Sequence, residues 1–196
     1  MKSISKNSFD TLFNNNCPYT FTNGLSTTIE DLRVIVSLCR YFKSENVLEL
    51  GVRYGHTAKF ILEQCPGIKK YIGVDVPVSF IPENEIQKLE IPLQTGIIAS
   101  FDKRFEAVVL DNGTKDIEDD INLFGCRFDL IFVDADHSLN GVKRDTGISK
   151  RLVKSGGIVI WHDYTNEKGV TDFLDSISGD NDIVHVEGSL CCFMVC

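Results

Sequence analysis

Val47-Leu48-Glu49-Leu50-Gly51-Val52-Arg53-Tyr54-Gly55-His56-Thr57-Ala58 carries a short apolar run into a glycine turn and, with no linker, into a helical pattern. Short continuous apolar runs of this kind are read as strands covered on both faces. The glycines permit a tight turn, let a ligand approach the backbone, and leave the first amides of the helix free to meet it. The dinucleotide fingerprint G-x-G-x-x-G is not met, because Gly51 and Gly55 stand four apart with Arg53 between them. A plain tight turn stays open for this segment taken alone.

The next strand, Tyr71-Ile72-Gly73-Val74-Asp75, ends on an acid. In a doubly wound sheet that position commonly accepts hydrogen bonds from ribose hydroxyls, so the turn and Asp75 together point to a nucleoside. Further apolar runs at 107–110, 130–133 and 158–161 predict three more buried strands. Helical segments fall between the runs, at 56–65, at 83–89, after Thr114, and from Ser138 to Val153, where Gly156-Gly157 is the stop signal. An earlier helix opens at Thr27-Thr28-Ile29-Glu30, a capping-box arrangement, and ends near Phe42. A last helix, 167–177, precedes two short strands, 183–186 and 191–195, separated by a turn with Gly188-Ser189 at hairpin spacing. The predicted fold is α/β: a doubly wound, mostly parallel sheet closed by a C-terminal antiparallel hairpin. Residues 27–196 form that domain. Residues 1–26 show no such pattern and are expected to be an N-terminal arm, either mobile or covering a substrate, with Phe9, Phe13, Tyr19 and Phe21 packing on an acceptor or on the sheet.

The net charge of −8 over 196 residues, with no dense Lys/Arg block, disfavours a nucleic-acid partner. No apolar run approaches the roughly 20 residues that span a bilayer, and the start Met1-Lys2-Ser3-Ile4-Ser5-Lys6 lacks a signal-peptide core. A cytoplasmic protein without a membrane partner is therefore expected. The seven cysteines form an odd set with no C-x-x-C pair and are expected to be reduced core thiols. Cys191 and Cys192, on one strand, should face opposite sides.

Two strand ends concentrate chemistry. Phe132-Val133-Asp134-Ala135-Asp136-His137 delivers two carboxylates and an imidazole, and Gly156-Gly157-Ile158-Val159-Ile160-Trp161-His162-Asp163 adds another imidazole and carboxylate. Ligands of doubly wound sheets bind beyond the carboxyl ends of strands at the switch point, where these two runs are expected to lie.

From about residue 27 to 195 this ordered set resembles the class I S-adenosylmethionine-dependent methyltransferases, whose Rossmann-like fold also ends in a hairpin. Glu49-x-Gly51-x-x-x-Gly55-x-Thr57, Phe132-Val133-Asp134-Ala135-Asp136 and the Gly156-Gly157 strand are similar to the small metal-dependent O-methyltransferases of the catechol and caffeoyl-CoA type, and to related sugar and antibiotic tailoring enzymes. The resemblance implies a pocket for S-adenosylmethionine shaped by Glu49, Gly51 and Gly55, with Thr57 on the methionine carboxylate, Asp75 on the ribose, and Asp111 or Asn112 bordering the adenine. It implies Asp134 as a metal carboxylate that also borders the cofactor. The family's later acidic-Asn ligand pair falls on His162-Asp163, so one ligand type has changed. A divalent ion, Mg or Mn, is expected on Asp134 and Asp163, with His162 as a third ligand or an outer partner.

His137 stands where those enzymes carry a lysine that deprotonates the acceptor, and an imidazole does this near neutral pH. The alternative is that His137 caps the following helix or bonds Asp163. The expected activity is methyl transfer to a small hydroxylated molecule, and a homodimer stays open. A non-catalytic nucleoside-binding module is the competing class, and an NAD-dependent dehydrogenase is weakened by the glycine spacing.

Overall fold

The computed structural model describes residues 1–13, 27–77 and 94–196. The predicted helix at 83–89, together with Cys17, Tyr19 and Phe21, lies outside the described residues. Eight strands form one sheet: β1 (Lys2–Ile4), β2 (Asn46–Leu50), β3 (Lys70–Asp75), β4 (Phe105–Val109), β5 (Phe128–Val133), β6 (Val153–Trp161), β7 (Val184–Val186) and β8 (Cys192–Val195). Their spatial order is β1-β7-β8-β6-β5-β2-β3-β4. Only β8 runs antiparallel, pairing β6 on one side and β7 on the other. The sheet reverses direction of travel between β2 and β5, which are parallel neighbours with Leu50 opposite Val133. The predicted α/β architecture with its terminal hairpin is the one observed.

Helices cover both faces. α1 (Lys6–Leu12), α2 (Ile29–Tyr41) and α3 (His56–Gln64) pack on one, and α4 (Thr114–Asp119), α5 (Leu139–Leu152) and α6 (Lys168–Ile177) on the other. Strand alternation sorts the core accordingly. Val47 faces the α1–α3 side while Leu48 and Leu50 face the α4–α6 side. Cys191 and Cys192 divide the same way, and the described cysteines are all free.

Four local expectations are corrected. The capping box is set one residue later: Thr28 accepts from Asp31 N and the Asp31 side chain accepts from Thr28 N, where Thr27 and Glu30 had been expected. Gly156-Gly157 does not stop α5. The chain leaves the helix at Leu152 and enters β6 directly, and the glycines sit in an irregular stretch where the register jumps between the Phe128–Val153 and Leu130–Ile158 pairs. The strand expected at 107–110 is β4, which begins at Phe105 and is not buried: as the sheet edge it leaves Glu106, Ala107 and Val109 exposed. The start of the chain is ordered although its sequence shows no pattern: β1 adds itself parallel to β7, and α1 buries Phe9 and Phe13 against Phe193. Three residues are too few to show a period, so β1 exists because β7 offers an unpaired edge. Among the described residues, no helix is long and apolar enough to cross a membrane.

Candidate functional site

Two groups of residues meet at the carboxyl ends of β2, β3, β5 and β6. The first is the turn after β2. Gly51 and Val52 both donate to Val74 O, at 2.8 and 3.1 Å, which locks the turn to the end of β3. Gly51 has φ +96°, and a Cβ built there would fall 2.1 Å from Asp134 O, so only glycine lets the turn pass this close to the end of β5. α3 then starts at Gly55, φ +86°, with no side chain capping its first amides.

Asp75 accepts from Arg53 N at 2.5 Å and from Val76 N at 2.8 Å. Burial nonetheless lifts its carboxyl above the usual range, against the pull of those amides. Glu49 is buried and accepts from Tyr71 Oη at 3.0 Å. Burial holds it well above the ordinary carboxylate range despite the tyrosine, and the nearby charges of Asp134 and Asp75 push the same way. Thr57 Oγ1 lies 3.0 Å from Thr27 Oγ1 in a buried pair. Asp111 and Asn112 are exposed in the loop after β4, next to the Leu110 amide that donates to Asp75 O. Asn112 spends its side chain on Asp116, at 2.8 Å.

The second group is a knot of two imidazoles and three carboxylates. His162 is 4% exposed. Its Nδ1 lies 3.1 Å from Asp134 Oδ1 and 3.3 Å from Asp163 Oδ2, and its Nε2 lies 3.2 Å from Asp31 Oδ2. Burial alone would strip its proton, but the hydrogen bonds it donates to Asp134, Asp163 and Asp31 outweigh it and the imidazole is pushed up to about 12. Asp163 and Asp31 are both held below their ordinary value: burial raises each, and His162, joined by Asn166 at Asp163 and by Thr28 and the Leu190 amide at Asp31, more than offsets it. Asp163 adopts φ +60°, a costly conformation for a residue with a side chain, and Asn166 Nδ2 donates to its Oδ1 at 3.0 Å.

His137 enters the same knot from the β5–α5 loop, its Nε2 3.5 Å from Asp134 Oδ1 and 3.3 Å from Asp163 Oδ2. Asp134 raises its proton affinity more than partial burial lowers it. That Nε2 is itself buried and makes no aligned hydrogen bond. It is Ser138, not His137, that caps α5, by accepting from Gly141 N at 3.1 Å.

Of the five groups expected from the two strand ends, Asp134, His137, His162 and Asp163 converge and Asp136 does not. Asp136 accepts from Ser138 N at 3.0 Å and faces Arg144, which uses it in the helix start. Asp134, His162 and Asp163 offer ligand atoms all within 4.8 Å of one another. Sequence reasoning missed Asp31, Thr27 and the Glu49–Tyr71 pair. Thr28-x-x-Asp31 signals a helix start, and nothing local signals that the same carboxylate meets a histidine 131 residues away.

The two groups abut. Asp134 N donates to Leu50 O at 2.8 Å, so the knot begins where the glycine turn begins. Such an arrangement can hold a nucleoside-bearing ligand at the turn and place a proton acceptor beside it.

Solved structures with this fold include the O-methyltransferase TomG of Streptomyces achromogenes, involved in tomaymycin synthesis, in complex with S-adenosylmethionine: TM-score 0.61, 16% identity, 95% of this chain and 86% of that one. An O-methyltransferase of Bacillus cereus in complex with S-adenosylhomocysteine matches at TM-score 0.59 and 16% identity, over 89% and 84% of the chains. The methyltransferase PaMTH1 of Podospora anserina, bound to S-adenosylhomocysteine, matches at 0.60 and 15%, over 86% and 79%. Among curated proteins, no sequence matches. The methyltransferase-domain family matches residues 48–164, a span that holds the glycine turn, Asp75, Asp134, His137, His162 and Asp163. The chain belongs to the methyltransferase-domain family.

Proposed function

We propose that this protein transfers the methyl group of S-adenosylmethionine to a hydroxyl oxygen of a small molecule. One observation carries the choice of oxygen chemistry: His137 Nε2 stands between Asp134 and Asp163, 3.5 and 3.3 Å away, at the strand ends that abut the glycine turn. An imidazole flanked by two carboxylates is a stronger proton acceptor than a free one, and the imidazolium it becomes is stabilised where it forms.

The chain's residues divide the work. The Gly51–Thr57 turn takes the methionine end, with Thr57 held by Thr27, and Asp75 takes the ribose while its other contacts fix the turn. The methyl carbon leaves sulfur as the acceptor oxygen bonds to it. The acceptor's proton goes to His137 Nε2, and S-adenosylhomocysteine leaves. Rate comes from holding oxygen, carbon and sulfur in line and from having the base in place.

Asp134, Asp163 and His162 also suit a divalent ion. The convergence of their ligand atoms, with the unbonded buried Nε2 of His137 facing the same oxygens, fits a cation between them. Such an ion, when bound, would lower the pKa of the acceptor hydroxyl.

The test is release of S-adenosylhomocysteine when the purified protein meets S-adenosylmethionine and a panel of hydroxylated sugars, catechols and polyketide-like phenols. Turnover with a hydroxylated member supports the reading. Binding of the cofactor without turnover of any member, or transfer only to amines or thiols, overturns it.

A further inference from the structure

Asp31 has no solvent exposure, and its two oxygens have separate duties. Oδ1 accepts from Leu190 N, in the turn between β7 and β8, at 2.6 Å. Oδ2 accepts from Thr28 N at 3.1 Å and from Thr28 Oγ1 at 2.5 Å, and faces His162 Nε2 at 3.2 Å. A carboxylate accepts and does not donate, so the ring nitrogen that faces it must carry a hydrogen. Nε2–H therefore points back to Asp31, while Nδ1 faces Asp134 Oδ1 and Asp163 Oδ2 and carries the hydrogen those carboxylates accept. The ring of Phe132, 6.0 Å away and at 69°, packs beside the imidazole.

We propose that Asp31 is the positioning residue of this centre, an outer carboxylate that fixes His162 so that Nδ1 is the imidazole ligand of a divalent transition ion shared with Asp134 and Asp163. The inference rests on the divalent-ion reading above and adds both its orienting residue and its class of metal. Two carboxylates alone suit magnesium, whereas an added imidazole shifts the preference to manganese, iron, cobalt or zinc. A carboxylate behind a ligating histidine fixes the ring's tautomer and raises its basicity, and losing such a partner typically costs about 10- to 100-fold in metal affinity. A bound ion would take Nδ1 without its hydrogen, and the hydrogen on Nε2 would stay with Asp31.

Asp31→Asn is the informative change, since the amide keeps an acceptor for Leu190 N but puts a donor where Nε2–H and Thr28 both need an acceptor. Thr28→Ala is its structural control, because it removes the capping hydroxyl and leaves the carboxylate–imidazole pair. Both are compared with the parent as full-length chains, titrated with Mn2+ alone by electron paramagnetic resonance and separately with S-adenosylhomocysteine by calorimetry. Asp31→Asn should bind Mn2+ about 10- to 100-fold more weakly and S-adenosylhomocysteine unchanged, while Thr28→Ala melts earlier and binds Mn2+ as the parent does. Unchanged Mn2+ affinity in Asp31→Asn, or an equal loss in Thr28→Ala, overturns the proposal. Nitrogen-15 spectra of the parent's histidine rings cover the remaining outcomes, an unfolded Asp31→Asn or a parent that binds no Mn2+. A His162 Nε2–H protected from exchange keeps Asp31 as the positioning residue, and in the second case only the metal reading falls. An Nε2–H that exchanges as freely as an exposed histidine's overturns the role of Asp31 itself.

Discussion

The main-chain N–H of Arg53 donates to Oδ2 of Asp75 across 2.5 Å, so the turn after β2 and the acid at the end of β3 form one unit. Asp75 therefore holds the turn's shape, and in the proposed function its remaining lone pairs are the ones offered to the ribose. Asp75→Ala should weaken S-adenosylhomocysteine binding by roughly 10-fold or more, since a hydrogen bond to a charged group is worth about 1.5–3 kcal/mol. Calorimetry checks this, and unchanged affinity would remove Asp75 from the cofactor pocket.

Gly51→Ala tests the crossing of the turn over β5. The added methyl would sit 2.1 Å from Asp134 O and 2.5 Å from Asp134 C, both backbone atoms, at φ +96°. Overpacking costs about 1–3 kcal/mol and positive φ adds about 1–2 kcal/mol, so the urea midpoint should drop sharply. Gly55→Ala meets its neighbours only at 3.1 Å, with the Ala99 methyl among them. It should cost less, and equal losses at the two sites would contradict the close crossing.

His137→Ala separates base from pocket. With an acceptor that the parent turns over, the rate should fall by about 10² to 10⁴, the usual contribution of a positioned base. Affinity for S-adenosylhomocysteine should stay within about twofold, because no bond ties His137 to the glycine turn. A variant as fast as the parent would mean that the proton leaves by another route.

Asp145, on α5, has no exposure, and its nearest cation is Arg144 Nε at 3.5 Å. Burial pushes its carboxyl up to about 6, against the pull of Thr114 and Arg144. Because the folded value lies above the unfolded one, the native chain binds more protons between pH 4 and 6, and this group's contribution to stability falls as pH rises through that window. At about 1.4 kcal/mol per unit, the loss is on the order of 2–3 kcal/mol. Asp145→Asn should flatten the stability profile between pH 4 and 6 and match or exceed the parent at pH 7. Urea denaturation at several pH values measures it. A parent whose stability rises over that window with the same slope as the variant would show Asp145 to be ionised at no cost.

Much of this molecule is legible in short stretches. The Val47–Ala58 run, the acid closing β3 and the paired residues ending β5 and β6 are local patterns, because burial on both faces demands apolar residues and a strand end tolerates polar ones. Their order along the chain implies the switch point, and with it the meeting of Asp134 and Asp163. The β7–β8 hairpin follows from spacing in the same way.

What tertiary structure alone decided is how those side chains are used. Asp136 and His137 are neighbours with similar prospects in sequence, yet one is taken up by the start of α5 and the other turns into the knot. β1 carries no pattern and forms because β7 has a free edge to offer. In the sequence Asp31 is one more acid in the first turn of a helix, until the packing of α2 on the sheet brings it within 3.2 Å of His162. A local pattern reports which face of an element is buried. Which buried polar group satisfies which other is set by packing between elements far apart in the chain, because a carboxylate and an imidazole removed from water must find each other or be neutralised.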